Sequence, residues 1–312
     1  MKLVIIGNGF DLHHRLNTSF NSFREYLNSI NKIDLVLNID SIIERHRKTL
    51  NLANQEIAWN NIESILNLEF NSIYGNIEQI ENLEDLVEEF VQNFYEYLMY
   101  EENSANVKIN ENIKNLIGDA EIFIVFNYTK TYKAYIQKEN VDVFHIHGEL
   151  DKNNLPLIGY HRGPISIKRA TSDYYLKYNN FVLHKPAMAF KQNLRDLDKE
   201  ILDFVNKYSY KVNEVVVVGY SFGESDDHVY EIINNLLITQ DHSRNMYYLD
   251  AKKLPKINFY LFIYNLHEAN ELINKLKMKF MRKFNRNIEV RKYGNGIRKD
   301  VEELIHFHLV DY

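Results

Sequence analysis

The chain opens on four consecutive apolar residues, Leu3-Val4-Ile5-Ile6, which end at Gly7. A short unbroken apolar run stopped by glycine reads as a strand buried on both faces, the signature of a parallel sheet. Behind it the period changes. Phe20, Phe23, Tyr26, Leu27 and Ile30 recur at helical spacing, so the chain begins as strand, loop, helix. From about 33 to 117 only helical texture follows, with Ile57, Trp59, Ile62, Ile65 and Leu66 on one stripe and Leu83, Leu86, Val87, Phe90 and Phe94 on another. Trp59 and Glu63 are one turn apart and are expected to share a face of one helix, with Trp59 in its core. We read 33–118 as a helical subdomain inserted into one α/β domain that spans 1–312.

Strands return at 121–126 (EIFIVF) and 141–146 (VDVFHI), with a short helix near 132–138 between them. A strand or hairpin over 155–160 and a helix over 187–208 lead to 214–219 (EVVVVG), the most continuous buried-strand pattern in the chain. A helix is expected over 227–237, a strand over 257–264, an amphipathic helix over 269–284, a short strand over 288–291 and a closing helix over 301–309. Strands alternating with helices define a mainly parallel, doubly wound, Rossmann-like α/β sheet.

A chain of 312 residues can bury a full core, and 26% charged with 45% hydrophobic residues marks a globular rather than a disordered chain. The absence of cysteine excludes disulfides, a thiolate nucleophile and Cys-ligated zinc, and it suits the reducing cytoplasm. The opening apolar run is too short for a signal peptide or a membrane span, so neither export nor anchoring is expected. The net charge of -6 is segregated: 49–107 holds no Lys or Arg, whereas 275–299 holds ten basic residues against Glu289. Such tracts can dock on one another or support a homo-oligomer. With Phe280, Phe284 and Tyr293 interleaved, the basic tract also reads as a candidate nucleic-acid surface, set against a solvated helix face.

Ligands of doubly wound sheets bind in the loops that leave the carboxyl ends of the strands, and four such loops carry suggestive residues. Gly7-Asn8-Gly9-Phe10-Asp11 reads either as a loop whose backbone approaches phosphate or as a tight turn with Asp11 capping the next helix. In Phe126-Asn127-Tyr128-Thr129, Asn127 and Thr129 can hold a water or sugar hydroxyl, or Asn127 can simply make a turn. His145 and His147 face the same side if their strand stays regular, as a metal pair, a general base or satisfied structural residues. Gly219-Tyr220-Ser221-Phe222-Gly223 fits the nucleophile elbow of hydrolases, while Ser221 and neighbouring amides serve equally to hold ribose or phosphate.

In this order the segments resemble the AbiH family of bacterial abortive-infection proteins, which act against phage. The resemblance is carried by Ile5-Ile6-Gly7-Asn8-Gly9-Phe10-Asp11-Leu12 with His14, by Trp59-Asn60-Asn61-Ile62-Glu63, by Phe126-Asn127-Tyr128-Thr129, by His145-Ile146-His147-Gly148, and by Gly219-Tyr220-Ser221 with Gly223, Glu224 and Asp226. The chain departs from the family pattern after His14, where Arg15-Leu16-Asn17-Thr18 stands in place of Gly-Leu-Pro-Thr, and at Tyr220, where His is frequent. AbiH proteins look in turn like distant relatives of sirtuin-type NAD-binding proteins. That likeness implies a dinucleotide loop at Gly7, Asn8, Gly9, Phe10 and Asp11, a ribose and water contact at Asn127 with Thr129 beside it, and a catalytic His147-Gly148. It also implies ligand contacts at Gly219, Ser221, Glu224 and Asp226. Its functional implication is an antiphage protein that binds NAD as substrate or ligand and hydrolyses the nicotinamide glycosidic bond, without a metal, under a phage-derived trigger. The alternatives are a non-catalytic nucleotide-sensing or partner-binding defence module and a toxin acting on nucleic acid.

Overall fold

Every pair of neighbouring strands in the sheet runs parallel. The computed structural model describes residues 1–49, 55–73, 76–150, 156, 158, 200–201, 203–208, 211–220, 232, 256–263, 273–274 and 305–311. Among them are β1 (Lys2–Ile6), β2 (Ile122–Val125), β3 (Asp142–His145), β4 (Glu214–Val218), β5 (Lys256–Ile263) and β6 (Ile305–Asp311), ordered β3-β2-β1-β4-β5-β6. Helices are α1 (Gly9–His13), α2 (Phe20–Ser29), α3 (Ile33–His46), α4 (Gln55–Asn60), α5 (Ile62–Ser72), α6 (Ile77–Ser104) and α7 (Glu111–Ile117), with a 3-10 turn at Thr131–Tyr135.

The first apolar run takes the centre of the sheet because both of its faces and both of its edges are covered. Ile5 stands opposite Ile124 on one side and Val217 on the other, and Leu3 to Ile6 are all buried. Strand order reverses here: the chain leaves β1 for β2 on one side, and β4 lies on the other. This is the switch point at which loops diverge and leave a crevice.

Contacts divide the chain into two compact units. The first comprises Met1–Arg15, Asn106–Ile146 and the described residues within Lys199–Tyr312, and it holds the whole sheet. Its core joins Val4, Ile6, Phe123, Val125, Val216 and Val218 of the strands to Phe10, to Ile113 and Ile117 of α7, and to Tyr132 and Tyr135 of the 3-10 turn. The second comprises Leu16–Ala105 with the stretch that begins at His147. Within it Phe23 packs edge-on to Phe90 and Phe94, and the buried Trp59 donates its indole N–H to Asp40 Oδ1 at 2.7 Å. Glu69 is nearly buried there and accepts bonds from Arg45 at 2.6 Å and His46 at 2.7 Å. Burial pushes its carboxyl up, but those bonds and the neighbouring charges outweigh burial and hold it below the usual carboxylate range.

Three expectations are corrected. The closing helix over 301–309 is instead β6, since Ile305, Phe307 and Leu309 alternate with the exposed His306 and His308 in a strand period. Trp59 and Glu63 do not lie on one helix, because the chain turns at Asn61, whose N–H reaches back to Ala58 and which separates α4 from α5. The helix near 132–138 is shorter and tighter, a single 3-10 segment. The expected elements over 155–160, 227–237, 269–284 and 288–291 lie wholly or mainly outside the described residues, and 187–208 is described only from 200.

Candidate site at the carboxyl ends of the parallel strands

The ladder of β1 runs one residue beyond the strand on both sides. Gly7 N–H donates to Val218 O at 3.0 Å, and Phe126 N–H donates to Ile6 O at 2.8 Å. Loops leaving β1, β2 and β4 therefore start side by side. Gly9 N–H then donates to Gly219 O at 2.6 Å, which sets two loop backbones in direct contact. A Cβ on Gly9 would stand 2.6 Å from that carbonyl oxygen, and one on Gly219 would stand 2.2 Å from Phe10 N. Gly219 also has φ +64°, a conformation that side chains other than glycine's resist. Gly7 lies under Tyr220, whose ring meets Phe126 edge-on at 5.0 Å. Close approach of loop to loop is thus what demands glycine at these positions.

The loop then curls into α1. Phe10 N–H donates to Gly7 O at 2.9 Å, while Asp11 and Leu12 donate to Asn8 O at 3.0 and 3.2 Å. Asn8 holds the N-cap position and its side chain makes no capping bond to the helix, so the tight-turn reading is corrected on its cap: Asp11 lies inside α1. Its carboxylate is fully buried and accepts from Thr129 Oγ1 at 2.7 Å, and Thr129 Oγ1 lies 2.9 Å from Thr131 Oγ1. The β1 loop is consequently tied to the β4 loop by glycine backbone and to the β2 loop by this carboxylate.

Asn127 lies between these ties in the chain of the β2 loop and is 1% exposed. Among the described residues its buried Oδ1 has no hydrogen-bond partner. Buried amide oxygens are usually satisfied, and this one lies at the end of a strand next to the switch point, where the ligands of such sheets bind. At the end of β3, Tyr132 Oη lies 2.9 Å from His145 Nε2. That strand ends at His145 and turns, so the regular alternation needed to put His147 on the face of His145 is not met. His147 and Gly148 are half-buried, Gly148 has φ +79°, and both group with the second unit.

Beside Asp11, His14 closes the end of α1. Its Nδ1 lies 2.6 Å from Phe10 O, and its Nε2 meets the hydroxyl of Tyr135, which also receives Asn110 N–H at 3.0 Å. Burial lowers the pKa of His14, with the Phe10 carbonyl opposing, and burial together with His14 lowers that of His13.

The structure therefore brings together Gly7, Asn8, Gly9, Phe10, Asp11, Asn127, Thr129 and Gly219 at one end of the sheet. Ser221, Glu224 and Asp226 lie outside the described residues. Thr131, Tyr132 and Tyr135 belong to the same cluster and are not singled out by sequence pattern, although the spacing Thr129-Lys130-Thr131 was a signal for paired hydroxyls. Among the described residues no group of three or more His, Asp or Glu can hold a metal ion, and no helix is long and apolar enough to cross a membrane.

Fold and site define an all-parallel α/β protein with polar groups gathered where its strand order reverses. The model of the family described as "Bacteriophage abortive infection AbiH" matches residues 3–248, and the chain belongs to that family. No curated protein and no solved structure matches it.

Proposed function

We propose that the chain is an antiphage protein of the bacterial cytoplasm that binds NAD at its switch-point loops and hydrolyses the nicotinamide glycosidic bond. The observation that carries the reading is the orphaned Oδ1 of Asn127. An unsatisfied buried acceptor costs about 1–3 kcal/mol, and a ligand hydroxyl or a water held for attack would remove that cost. Two further features support a dinucleotide. The order β3-β2-β1-β4-β5-β6 is the strand order of Rossmann-type dinucleotide-binding sheets, and the ligand of such sheets lies over the β1 loop. Membership of an abortive-infection family suits an activity that depletes a cofactor the host needs.

The local hydrogen bonds support a division of roles. Gly7, Gly9, Phe10, Asp11 and Leu12 already spend their amides on protein carbonyls, so the glycine loop serves as a rigid wall and side chains carry the recognition. Asn127 orients the ribose and the attacking water, while Asp11 and Thr129 fix the loops on either side. Cleavage passes through an oxocarbenium-like state, which asks for a positioned water and a base near neutral pKa. The likeness to sirtuin-type proteins assigns that base to His147, which we keep as a candidate on that ground alone. Calorimetric titration of NAD and ADP-ribose into wild type and Asn127→Ala tests the binding half. Saturable binding by wild type, weakened in the variant, is expected; equal affinity in both removes Asn127 from the site.

A further inference from the structure

At its far end α1 is tied down by His14 and Tyr135. We propose that these two residues are the positioning pair of the site, holding α1 so that Asp11 meets Thr129; the inference rests on reading the switch-point loops as a nucleotide site.

α1 has only five residues, Gly9 to His13. A helix that short has no stability of its own, so its orientation must come from contacts. At its start the contacts are the Gly9–Gly219 bond and the local turn. At its end they form a directed chain. Asn110 N–H can only donate, so Tyr135 Oη accepts it at 3.0 Å, and its own proton goes to the nearer His14 Nε2 rather than to Lys108 O, which lies 3.5 Å away. Phe10 O can only accept, so the His14 proton sits on Nδ1, 2.6 Å away. The imidazole is thereby fixed as the neutral Nδ1–H tautomer, and every link has a defined direction. Asn110 is itself anchored, since its Oδ1 accepts Asn112 N–H at 3.0 Å and caps α7. The chain thus runs from the cap of α7 through the 3-10 turn to a carbonyl of α1.

Packing follows the same path. Phe10 is fully buried, with its ring centroid 4.6 Å from that of His14 and 5.4 Å from that of Tyr135. Phe10 immediately precedes Asp11, so a shift of its ring or carbonyl moves the carboxylate relative to Thr129 Oγ1. The hydroxyl of a fully buried tyrosine, spent on one imidazole, sets where the site's carboxylate lies.

The test uses full-length Tyr135→Phe, His14→Leu and His14→Gln. Glutamine offers one acceptor and one donor in place of the two ring nitrogens, whereas leucine offers bulk without either. Three readouts are taken: thermal midpoint, amide hydrogen exchange across residues 9–14, and NAD affinity by calorimetry. Tyr135→Phe and His14→Leu are expected to speed exchange across α1 and weaken NAD each by about tenfold, the loss of one ordinary hydrogen bond, with the midpoint moved by a few degrees. His14→Gln is expected to restore both. Unchanged exchange in Tyr135→Phe overturns the proposal, as does faster exchange with unaltered NAD affinity, or a glutamine variant as impaired as leucine. Should wild type itself fail to bind NAD, the nucleotide reading falls, and exchange across α1 in Tyr135→Phe and His14→Gln alone decides the pair. If His14→Leu does not fold, the tyrosine variant decides.

Discussion

Gly9 donates its backbone N–H to the carbonyl of Gly219 at 2.6 Å, so the loops after the first and fourth strands meet backbone to backbone where the strand order reverses. No side chain separates them. The contact explains why the apolar runs before both loops end in glycine, and it makes the two loops one rigid wall.

Gly219→Ala is the sharpest test of that wall. A Cβ would stand 2.2 Å from Phe10 N in a backbone conformation with φ +64°. Left-handed strain and overlap with backbone together cost about 3 kcal/mol or more. Urea unfolding should show a midpoint well below wild type; a midpoint within error of wild type would mean that the loops do not touch in this way.

Arg15 makes the opposite prediction. It follows α1 with φ 62°, the left-handed region that favours glycine. Left-handed strain in a side-chain-bearing residue costs about 1–2 kcal/mol, while glycine loosens the unfolded chain by about 0.4–1 kcal/mol. Relief of strain outweighs the added freedom of the unfolded chain, so Arg15→Gly should raise stability by roughly 1 kcal/mol in chemical denaturation. A loss of stability would contradict the assignment.

Much of this was legible in the sequence. The buried stretches at 3–6, 122–125 and 215–218 are unbroken apolar runs, and a sheet covered on both faces accommodates them. Glycine and Asn127 stood out because their chemistry is local to the loops that follow. β6 was not legible as a strand. Ile305, Leu309 and the exposed His308 also satisfy helical spacing, and a run of seven residues fits either period until a neighbouring strand selects one. The Asp11–Thr129 and His14–Tyr135 pairs were hidden for a different reason. They join residues more than a hundred positions apart, and sequence spacing carries no trace of such contacts.

Thr129→Val tests the carboxylate tie. It removes the hydroxyl that donates to the buried Asp11 at 2.7 Å and keeps the side-chain shape. Loss of a hydrogen bond to a buried charged group costs about 1.5–3 kcal/mol. Denaturation should show that loss together with weaker NAD binding; full stability would mean that the Thr129 hydroxyl does not hold Asp11 in this way.

Stability should also depend on His14. Burial lowers its folded pKa, so as pH falls below about 6.5 the unfolded chain takes up the proton before the folded one does. Stability from this group is complete above that pH and declines as pH falls toward the lower folded value. His13, lowered for the same reason with His14 adding to it, acts in the same direction. Unfolding free energies measured at about pH 7.5 and about pH 5.5 should differ more for wild type than for His14→Gln. Equal slopes would show that His14 titrates as it does in the unfolded chain.

The most direct measurement is nicotinamide and ADP-ribose release from NAD by purified wild type, Asn127→Ala and His147→Ala. Wild type should release both products, and each variant should fall by about 10²-fold or more, the scale of a lost acid–base or positioning group. Undiminished release by Asn127→Ala, or neither binding nor release by wild type, would contradict NAD hydrolysis at the switch-point loops.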